Sequence, residues 1–406
     1  MKTNKQKLQL LGFFVSLCPF FFQSSAFAAG YHSIESEISS LGLGGASAGN
    51  IYAIDGALRN PAIGGFQLGF RGNIGLALAN PTLSATSSSG EIHSENGPSL
   101  PPVAHVGYTA DGLSIDLGLQ IPYGSSIKWP EDWVGRYTLV KAHMAIFRST
   151  LSVAYQVGNF AMGIGFIYDL GRLNLNQKRA FISEDGEVDL QMSGGASGFT
   201  AGILAKLHDK VHLGLTFVSG QTVDFKGQAN FSIPSSFQGF AEDGPVIATL
   251  EFPHKVSTGV VWKPLSELLL TADLEWWNWS RLQEFTIDFA SPITEDVEKQ
   301  RDWNDTLTIR LGTAYQVSEI VQVKIGGFFD QSPVPHKTAG ADSPDSDRLG
   351  LSTGLTLSLL DKIHLNLAYQ WVNLLGINNP AIPLELPNQF NGTFHVAALG
   401  LSYGKT

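Results

Sequence analysis

One pentapeptide of the chain has the spacing of a serine nucleophile: residues 45–49 read Gly-Ala-Ser-Ala-Gly and match the pattern G-x-S-x-G. In hydrolases this serine sits on a sharp turn between a strand and a helix at the top of a sheet. Here the pentapeptide lies in a glycine-rich stretch that precedes the first predicted strand. We therefore predict no catalytic residue at this position and expect that the protein is not an enzyme.

Two groups of residues have spacings that could bind a metal ion. His208 and His212 are four positions apart, as on one face of a helix, but a predicted hairpin turn separates them. Asp342, Asp345 and Asp347 lack the remaining ligands of a calcium-binding loop, which favours a solvated acidic cluster. We predict neither a metal site nor a cofactor.

Strict alternation of apolar and polar residues recurs from about Gly65 to the C-terminus and indicates which elements carry the functional residues. It is clearest at residues 113–121, 307–311 and 363–371. Successive side chains of a strand point to opposite faces, so each segment has one apolar and one polar face. Many such segments of about ten residues are typical of a transmembrane β-barrel.

The composition agrees with a membrane location. Charged residues make up 15 % of the chain, whereas about a quarter is usual in soluble domains. The formal net charge is −10 and no basic cluster occurs, which argues against nucleic acid as a partner.

Short polar turns alternate with long linkers along the chain. The turns lie at residues 111–112, 158–159, 208–210, 264–267, 318–319 and 361–362. The linkers lie at residues 86–100, 125–141, 177–197, 227–252, 291–304, 332–347 and 373–391. These six turns and seven linkers separate about fourteen strands. The predicted fold is all-β, a transmembrane antiparallel β-barrel of about 14 strands with short periplasmic turns and long extracellular loops.

Charged residues on the polar strand faces are predicted to point into the lumen. An unpaired Arg or Lys on the lipid face at mid-membrane would cost about 2–4 kcal/mol. The predicted lumenal charges are Arg310, Lys324, Arg348, Asp116, Asp273 and Glu275. We interpret the three cations as partners of lumenal acids, with binding of a ligand carboxylate as the alternative.

The N-terminus has the pattern of a secretory signal peptide at residues 1–28. Three lysines precede an apolar run at residues 8–22, and residues 26–28 read Ala-Phe-Ala, a small-residue cleavage site. The run is too short for a membrane anchor. Cleavage would remove three lysines, taking the net charge from −10 to −13, together with Cys18, the only cysteine.

Residues 29–65 do not alternate and are rich in Gly, Ala and Ser. Small residues permit close backbone packing, so we predict an N-terminal hatch inside the lumen, with residues 66–406 forming the barrel. A disordered periplasmic tail is the alternative, although the segment holds many apolar residues.

The strongest site prediction within the hatch is the group Arg59, Asn60, Pro61 and Ala62. Pro61 fixes one backbone dihedral and restricts Asn60, so this stretch should make a defined turn. Arg59 would need a carboxylate partner in the lumen, and Asp116, Asp273 and Glu275 are the candidates. We interpret the group as an anchor of the hatch, with direct ligand contact as the alternative.

One long loop carries apolar residues where solvent should prevail, which often marks ligand capture. This group consists of Phe231, Ile233, Phe237 and Phe240. Lys178 and Arg179 in a neighbouring linker could steer a carboxylate. The alternative for the apolar group is that its side chains pack within the loop. The alternative for the two cations is that they bind lipopolysaccharide phosphates or are solvated.

Tryptophans near strand ends suggest an aromatic girdle at the membrane surface. Trp276, Trp277 and Trp279 cluster at one strand end, and Trp371 lies at another. Girdles place such rings at headgroup depth. Trp277 lies on the opposite face from the other two tryptophans in its cluster. The alternative for Trp277 is therefore that it lines a ligand site.

An ordered set of motifs resembles the long-chain fatty acid outer-membrane transporters of the FadL/TodX family. Residues 40–49 read Ser-Leu-Gly-Leu-Gly-Gly-Ala-Ser-Ala-Gly, and residues 59–62 read Arg-Asn-Pro-Ala. Further matching stretches are residues 121–124, 132–137, 275–282, 330–335 and 344–348. Together they cover essentially the whole mature chain. The C-terminus departs from the pattern, because the last aromatic residue, Tyr403, is followed by three others.

The resemblance implies passive uptake of hydrophobic small molecules across the outer membrane, by capture on extracellular loops, passage to an inner pocket and hatch-gated lateral release. Long-chain fatty acids are the first expectation for the substrate, and monoaromatic hydrocarbons are the alternative. The implied partners are the hydrophobic ligand, outer-membrane lipid and lipopolysaccharide, and the barrel assembly machinery, with the protein acting as a monomer. A structural barrel or adhesin and an outer-membrane hydrolase stay open as functions of other classes.

Overall fold

The computed structural model of the chain is described over residues 30–33, 37–182, 184–237 and 239–405. The predicted signal peptide, residues 1–28, lies outside the described residues. One short α-helix, α1, spans Ile38–Leu41. Single 3-10 turns span Gly56–Leu58, Pro61–Phe66, Ser235–Phe237 and Trp279–Arg281. Among the described residues, no helix is both long and apolar enough to cross a bilayer.

The strands are β1 (Gly69–Ser87), β2 (Gly90–His93), β3 (Pro102–Ala110), β4 (Leu113–Lys128), β5 (Lys141–Val157), β6 (Phe160–Ala180), β7 (Asp185–His208), β8 (Val211–Val218), β9 (Thr222–Ser232), β10 (Gly244–Glu251), β11 (Lys255–Trp262), β12 (Leu268–Trp277), β13 (Glu284–Phe289), β14 (Val297–Gln300), β15 (Thr306–Ser318), β16 (Val321–Asp330), β17 (Arg348–Leu360), β18 (Ile363–Leu374), β19 (Ile377–Asn378) and β20 (Gln389–Tyr403).

Fourteen of these strands close into one antiparallel ring. The order of pairing is β1, β3, β4, β5, β6, β7, β8, β11, β12, β15, β16, β17, β18 and β20. The ring closes where β20 pairs with β1, from Gly72 opposite Tyr403 to Thr86 opposite Gln389. A closed sheet leaves no free edge and satisfies its backbone groups without water. The prediction of a fourteen-stranded barrel is confirmed.

The predicted long linkers at residues 177–197 and 227–252 were wrong, because much of their length is strand, and the linker at residues 291–304 contains one short strand. Residues 177–197 are part of the β6–β7 hairpin, in which pairing continues up to Ala180 opposite Asp185. Residues 227–252 include most of β9 and β10, and residues 291–304 include β14. Strands that rise beyond the bilayer have water on their outer face, so polar residues there do not signal a loop.

Four of the six additional strands form a further sheet at the end of the barrel that carries the long connections, while β2 pairs with β1 and β19 pairs with β20. The upper part of β7 pairs with β9 instead of β8, and β10, β13 and β14 follow in order. We name β9, β10, β13 and β14 the extracellular sheet, because long connections lie outside the cell in barrels of this kind.

The two faces of the wall differ as the alternation predicts. The outward side chains are apolar and exposed, as at Leu151, Met162 and Ile164. All six of the predicted lumenal charged residues are buried on the inward face. The wall therefore presents hydrocarbon to lipid and places its charges inside.

The N-terminal segment, defined as residues 30–33 and 37–67, lies against inward residues from several sides of the ring. The backbone N–H of Gly44 donates to Ser352 Oγ (2.9 Å) on β17, and that of Ser47 donates to Asp273 Oδ2 (2.8 Å) on β12. Asn60 Nδ2 donates to the carbonyl of Ile203 (3.2 Å) on β7. Such contacts are those of a packed segment inside the barrel, not of a disordered tail.

Glycines on both sides permit this close packing. A Cβ built on Gly42 would lie 2.8 Å from the Cα of Gly354, and one on Gly49 would lie 2.8 Å from the carbonyl oxygen of Gly259. Both distances are below van der Waals contact, so a larger residue at either position would push the segment away from the wall.

Candidate functional site

A cavity of about 350 Å³ lies at the extracellular end of the lumen, between the wall strands β5 to β7 and the extracellular sheet. Pockets of this size accept small organic ligands. Its lining is mostly apolar and includes Met144, Leu173, Leu190, Leu250, Phe285 and Ile287. The period-two pattern explains this lining, because alternate residues of each strand face the same side. No local pattern in the sequence predicted the cavity, since its walls come from distant segments.

Four charged residues lie along the cavity, and three of them form ion pairs in which one carboxylate serves two cations. Asp342 Oδ2 accepts from Lys299 Nζ (2.8 Å) and from an Arg301 nitrogen (2.9 Å). Burial of Asp342 by itself raises the pKa of the carboxyl, but Arg301 and then Lys299 outweigh it and hold the pKa well below its usual range. The prediction that Asp342 belongs to a solvated acidic cluster was therefore wrong. Its position in a surface loop had suggested solvent contact.

Arg179 is the fourth charged residue of the cavity. Among the described residues, no carboxylate lies within ion-pair distance of it, and its buried Nε has no hydrogen-bond partner. Its guanidinium carbon lies 6.0 Å from the centre of the Phe231 ring. The arrangement places a cation with free donors beside an apolar cavity, as binding of a carboxylate requires.

Lys178 does not share this position, because it precedes Arg179 on the strand and points to the other face. Its Nζ donates to Glu187 Oε2 (2.6 Å) and lies 3.8 Å from Glu131. Of the two cations that the sequence suggested for steering a carboxylate, the structure brings only Arg179 to the cavity.

The four apolar residues predicted for ligand capture are less exposed than the sequence suggested. Only Phe240 is largely exposed, at 71 %, and the other three are half-buried. The Phe237 ring lies 5.0 Å from that of Phe181 and 5.9 Å from that of Phe240. The Phe231 ring lies 6.0 Å from that of Phe289, which lines the cavity. These rings extend from the surface toward the cavity. The half-buried Ile233 completes the group.

Arg59 lies at the centre of a buried cluster of charges inside the barrel. It forms an ion pair with Glu275 of β12 and lies 3.8 Å from Asp273 and 3.5 Å from Glu37. Arg310 of β15 approaches the same Glu275 carboxylate at 3.4 Å. The structure thus joins a predicted hatch residue to three of the predicted lumenal charges.

Asn60 and the residues after it form the turn that the sequence indicated. The side chain of Asn60 accepts from the backbone N–H of Ala62 (3.0 Å) and donates to the carbonyl of Ala48 (3.0 Å). Pro61 begins the 3-10 turn, where its missing N–H leaves no bond unmade. The group fixes the chain direction just before β1.

The remaining predicted lumenal charges have other partners. Asp116 accepts from Arg71 (2.5 Å) and lies 2.9 Å from His105 Nε2, so it is not a partner of Arg59. Lys324 donates to the carbonyl of Ser39 in the N-terminal segment (2.9 Å). Arg348 pairs with Asp345, so this second member of the acidic loop group is buried too. The interpretation as partners of acids therefore applies to Arg348, as it does to Arg310.

The pairing of the wall is interrupted beside the start of the N-terminal segment. Pairing of β3 with β4 ends at Ala104 opposite Leu119, and the register of β4 shifts between Gln120 and Tyr123. Above that point the edge of β4 bonds to the N-terminal segment, with Ser33 N–H donating to Pro122 O (2.8 Å). Pro122 was the available sequence signal, because proline within a strand marks an edge or a bulge.

The girdle prediction was wrong for Trp277 and Trp279, which are buried. Trp279 packs edge-on against Trp303 with ring centres 5.2 Å apart, and Tyr31 of the N-terminal segment lies 5.1 Å from Trp303. Trp276 remains exposed on the outer face. The inward rings surround the start of the N-terminal segment, which position in the sequence alone could not indicate.

The residues that suggested a nucleophile or a metal site are not arranged for either role in the described structure. Ser47 is buried, and its hydroxyl donates to Glu37 Oε2 (2.8 Å). His208 and His212 lie on β7 and β8, on either side of a hairpin turn. Over the part of the chain that is described, no three His, Cys, Asp or Glu side chains group as metal ligands would.

The sequence pattern of the outer membrane protein transport protein family (OMPP1/FadL/TodX) matches residues 20–404. The chain belongs to this family. The long-chain fatty acid transport proteins of Salmonella typhi and Escherichia coli (strain K12) are each 25 % identical to it, over 82 % of the chain and 85 % of their own length. As a member of the FadL/TodX family, the protein is an outer-membrane transporter of hydrophobic compounds.

Solved structures of FadL/TodX barrels share the fold. That of a Pseudomonas aeruginosa FadL homologue has a TM-score of 0.83 at 17 % identity, covering 93 % of this chain and 100 % of that chain. That of the P. putida toluene transporter TodX has a TM-score of 0.74 at 17 % identity, covering 92 % and 99 %.

Proposed function

We propose that this protein takes up long-chain fatty acids, and that the cavity beside Arg179 is their binding site. One observation carries the proposal: an apolar cavity of about 350 Å³ has beside it a guanidinium with no carboxylate partner among the described residues. A fatty acid matches both features, with an alkyl chain for the cavity and a carboxylate for Arg179. The named fatty acid transporters among the relatives support the same substrate.

An alkyl chain has a lower free energy in the apolar cavity than in water. Each buried methylene contributes about 0.8 kcal/mol, so an alkyl chain gains affinity with length in an apolar cavity. Uptake therefore needs no energy source beyond binding and release down a concentration gradient.

Monoaromatic hydrocarbons are the second candidate. The solved TodX proteins are toluene transporters, and the apolar lining of the cavity suits a small aromatic ring. A hydrocarbon would leave Arg179 without a partner, which is why we favour the acid.

The N-terminal segment acts in this proposal as a hatch. It fills the lumen below the cavity and covers the gap between β3 and β4 above Leu119. Withdrawal of residues 31–33 from β4 would open a lateral way out through the wall. Phe240 and the half-buried rings beside it serve as the landing surface outside the cell.

The remaining expectations complete the proposal. We propose a monomer that contacts lipopolysaccharide, is inserted by the barrel assembly machinery and is not an enzyme. Ser358 Oγ lies 3.1 Å from His364 Nδ1, but the other ring nitrogen lies 3.1 Å from the carbonyl of Gly404. The pair therefore lacks the carboxylate that orients the histidine in a hydrolase triad.

Uptake measurements test the proposal. Deleting the gene should lower uptake of labelled oleate, and a plasmid copy should restore it. Toluene uptake measured in the same strains tests the second candidate substrate, a monoaromatic hydrocarbon. Unchanged uptake of both compounds in the deletion strain would contradict transport of either.

A complementary test is a crystal structure of the protein soaked with oleate. Alkyl density inside the cavity, with the carboxylate at Arg179, is the expected result. Density confined to the outer wall would contradict the assignment of the site.

A further inference from the structure

The connection between β4 and β5, residues 129–140, covers the cavity on its extracellular side, and we name it the roof segment. Tyr137, Thr138 and Leu139 line the cavity from this segment. Beneath it, Leu173 and Leu250 are almost completely buried. The roof segment therefore forms part of the extracellular boundary of the cavity.

The two ends of the roof segment are firmly anchored. The indole rings of Trp129 and Trp133 stack with centres 4.8 Å apart, and both are buried. Trp129 Nε1 donates to the carbonyl of Ala341 (3.0 Å), and Trp133 Nε1 donates to that of Leu139 (2.8 Å). A Cβ on Gly135 would lie 2.7 Å from a Trp133 ring atom, so glycine permits this turn.

The middle of the roof segment is held by side chains at the surface. Arg136 Nε donates to Asp185 Oδ2 (2.7 Å), and the Tyr137 hydroxyl donates to Asp185 Oδ1 (2.7 Å). The Arg136 and Asp185 side chains are 26 % and 33 % exposed. Ion pairs in contact with water are weak and easily exchanged.

The backbone attachment of the roof segment is also slight compared with that of the wall. Two backbone hydrogen bonds join it to β6, from Lys178 N–H to Arg136 O (3.0 Å) and from Val140 N–H to Asn176 O (2.9 Å). The neighbouring hairpin of β6 and β7 pairs continuously from Phe160 to Ala180. The roof segment is therefore held by fewer backbone hydrogen bonds than the adjacent hairpin.

We propose that the roof segment is an extracellular gate of the cavity, and that Asp185 holds it closed by accepting hydrogen bonds from Arg136 and Tyr137. The inference rests on the proposed function for the identity of the ligand, but not for the motion itself. The transport scheme has no role for the motif at residues 132–137. The proposed gate assigns this motif the control of ligand entry.

Thiol labelling measures opening of the gate without any transported ligand. Cys18, in the predicted signal peptide, is the only cysteine, so Leu173→Cys would give the mature protein a single thiol inside the cavity. We expect its reaction with a small maleimide to be several-fold faster when Asp185→Asn is added. Asp189→Asn, a charge removed further along the same strand, is the matched control and should leave the rate unchanged. Equal rates with and without Asp185→Asn would overturn the gate.

A reversible cross-link tests whether the gate controls uptake. Arg136→Cys and Asp185→Cys, bridged by a short bis-methanethiosulfonate, should lower oleate uptake at least tenfold, and dithiothreitol should restore it. Each single variant, treated in the same way, should be unaffected. Bridged protein with undiminished uptake would overturn the gate while leaving the transport proposal intact. Absence of oleate and toluene uptake in the unmodified protein would instead contradict the proposed function, and the labelling result would still decide on the gate.

Discussion

Arg59 and Glu275 form an ion pair although 216 positions separate them in the sequence. Both side chains are almost completely buried, so neither charge has water as a substitute partner. The pair joins the N-terminal segment to β12. It is a direct link between the element that fills the lumen and the wall that surrounds it.

Breaking this pair should loosen the N-terminal segment without unfolding the barrel. Removing one partner of a buried pair costs about 3–5 kcal/mol, and the nearby Asp273 and Glu37 should reduce the loss for Glu275→Gln. We expect this variant to melt at a lower temperature and to admit more solute, while keeping heat-modifiable mobility on gels. The double variant Arg59→Met with Glu275→Gln also removes the cation that Asp273 and Glu37 share, and should be more destabilised than Glu275→Gln alone. A double variant more stable than the single variant would contradict this coupling.

Arg179 should discriminate acids from neutral ligands. A hydrogen bond to a charged group contributes about 1.5–3 kcal/mol, so Arg179→Met should weaken oleate binding by at least about tenfold. Binding of toluene should be unchanged, because no polar group is involved. Titration calorimetry with the purified protein measures both ligands.

Lys178→Met is the matched control for that experiment. Lys178 already pairs with Glu187 on the other face of the strand, so its removal should leave oleate affinity as it is. An equal loss in both variants would indicate a general effect of surface charge.

Asp342 should limit the attraction of the cavity for anions. Asp342→Asn would release Lys299 and Arg301 from their shared carboxylate, and we expect oleate to bind several-fold more tightly. Because the pKa of Asp342 is lowered, its ion pairs are fully present above the usual pKa of Asp and are lost only as the pH falls through the lowered value. Oleate affinity of the unmodified protein should therefore not increase between pH 7 and pH 5. An increase over that range would show that Asp342 becomes protonated there.

Glycine at position 163 should be needed for the packing of the hatch turn. A Cβ there would lie 2.7 Å from the carbonyl carbon of Pro61, and overpacking typically costs about 1–3 kcal/mol. Gly163→Ala should lower the melting temperature and increase leakage through the barrel. Gly72→Ala is the control, because its Cβ would meet nothing closer than 3.4 Å. Equal leakage in the two variants would contradict the prediction that contact with Pro61 causes the effect.

The sequence by itself determined the membrane-spanning strands, their inward and outward faces and the turn at Pro61. Each of these follows from local chemistry: the period of two in a strand, the cost of a charge in lipid and the restricted backbone of proline. These constraints act within a few residues, so they can be read without knowing what lies opposite.

Only the tertiary structure decided which residues meet. The ring closure brings Glu275 rather than Asp116 to Arg59, turns Trp279 inward and gathers Arg179, Asp342 and the roof segment around one cavity. Local patterns failed at residues 177–197 for a related reason, since strands that leave the bilayer no longer need an apolar outer face. Contacts between distant segments depend on how the whole sheet closes, and no short stretch of sequence contains that information.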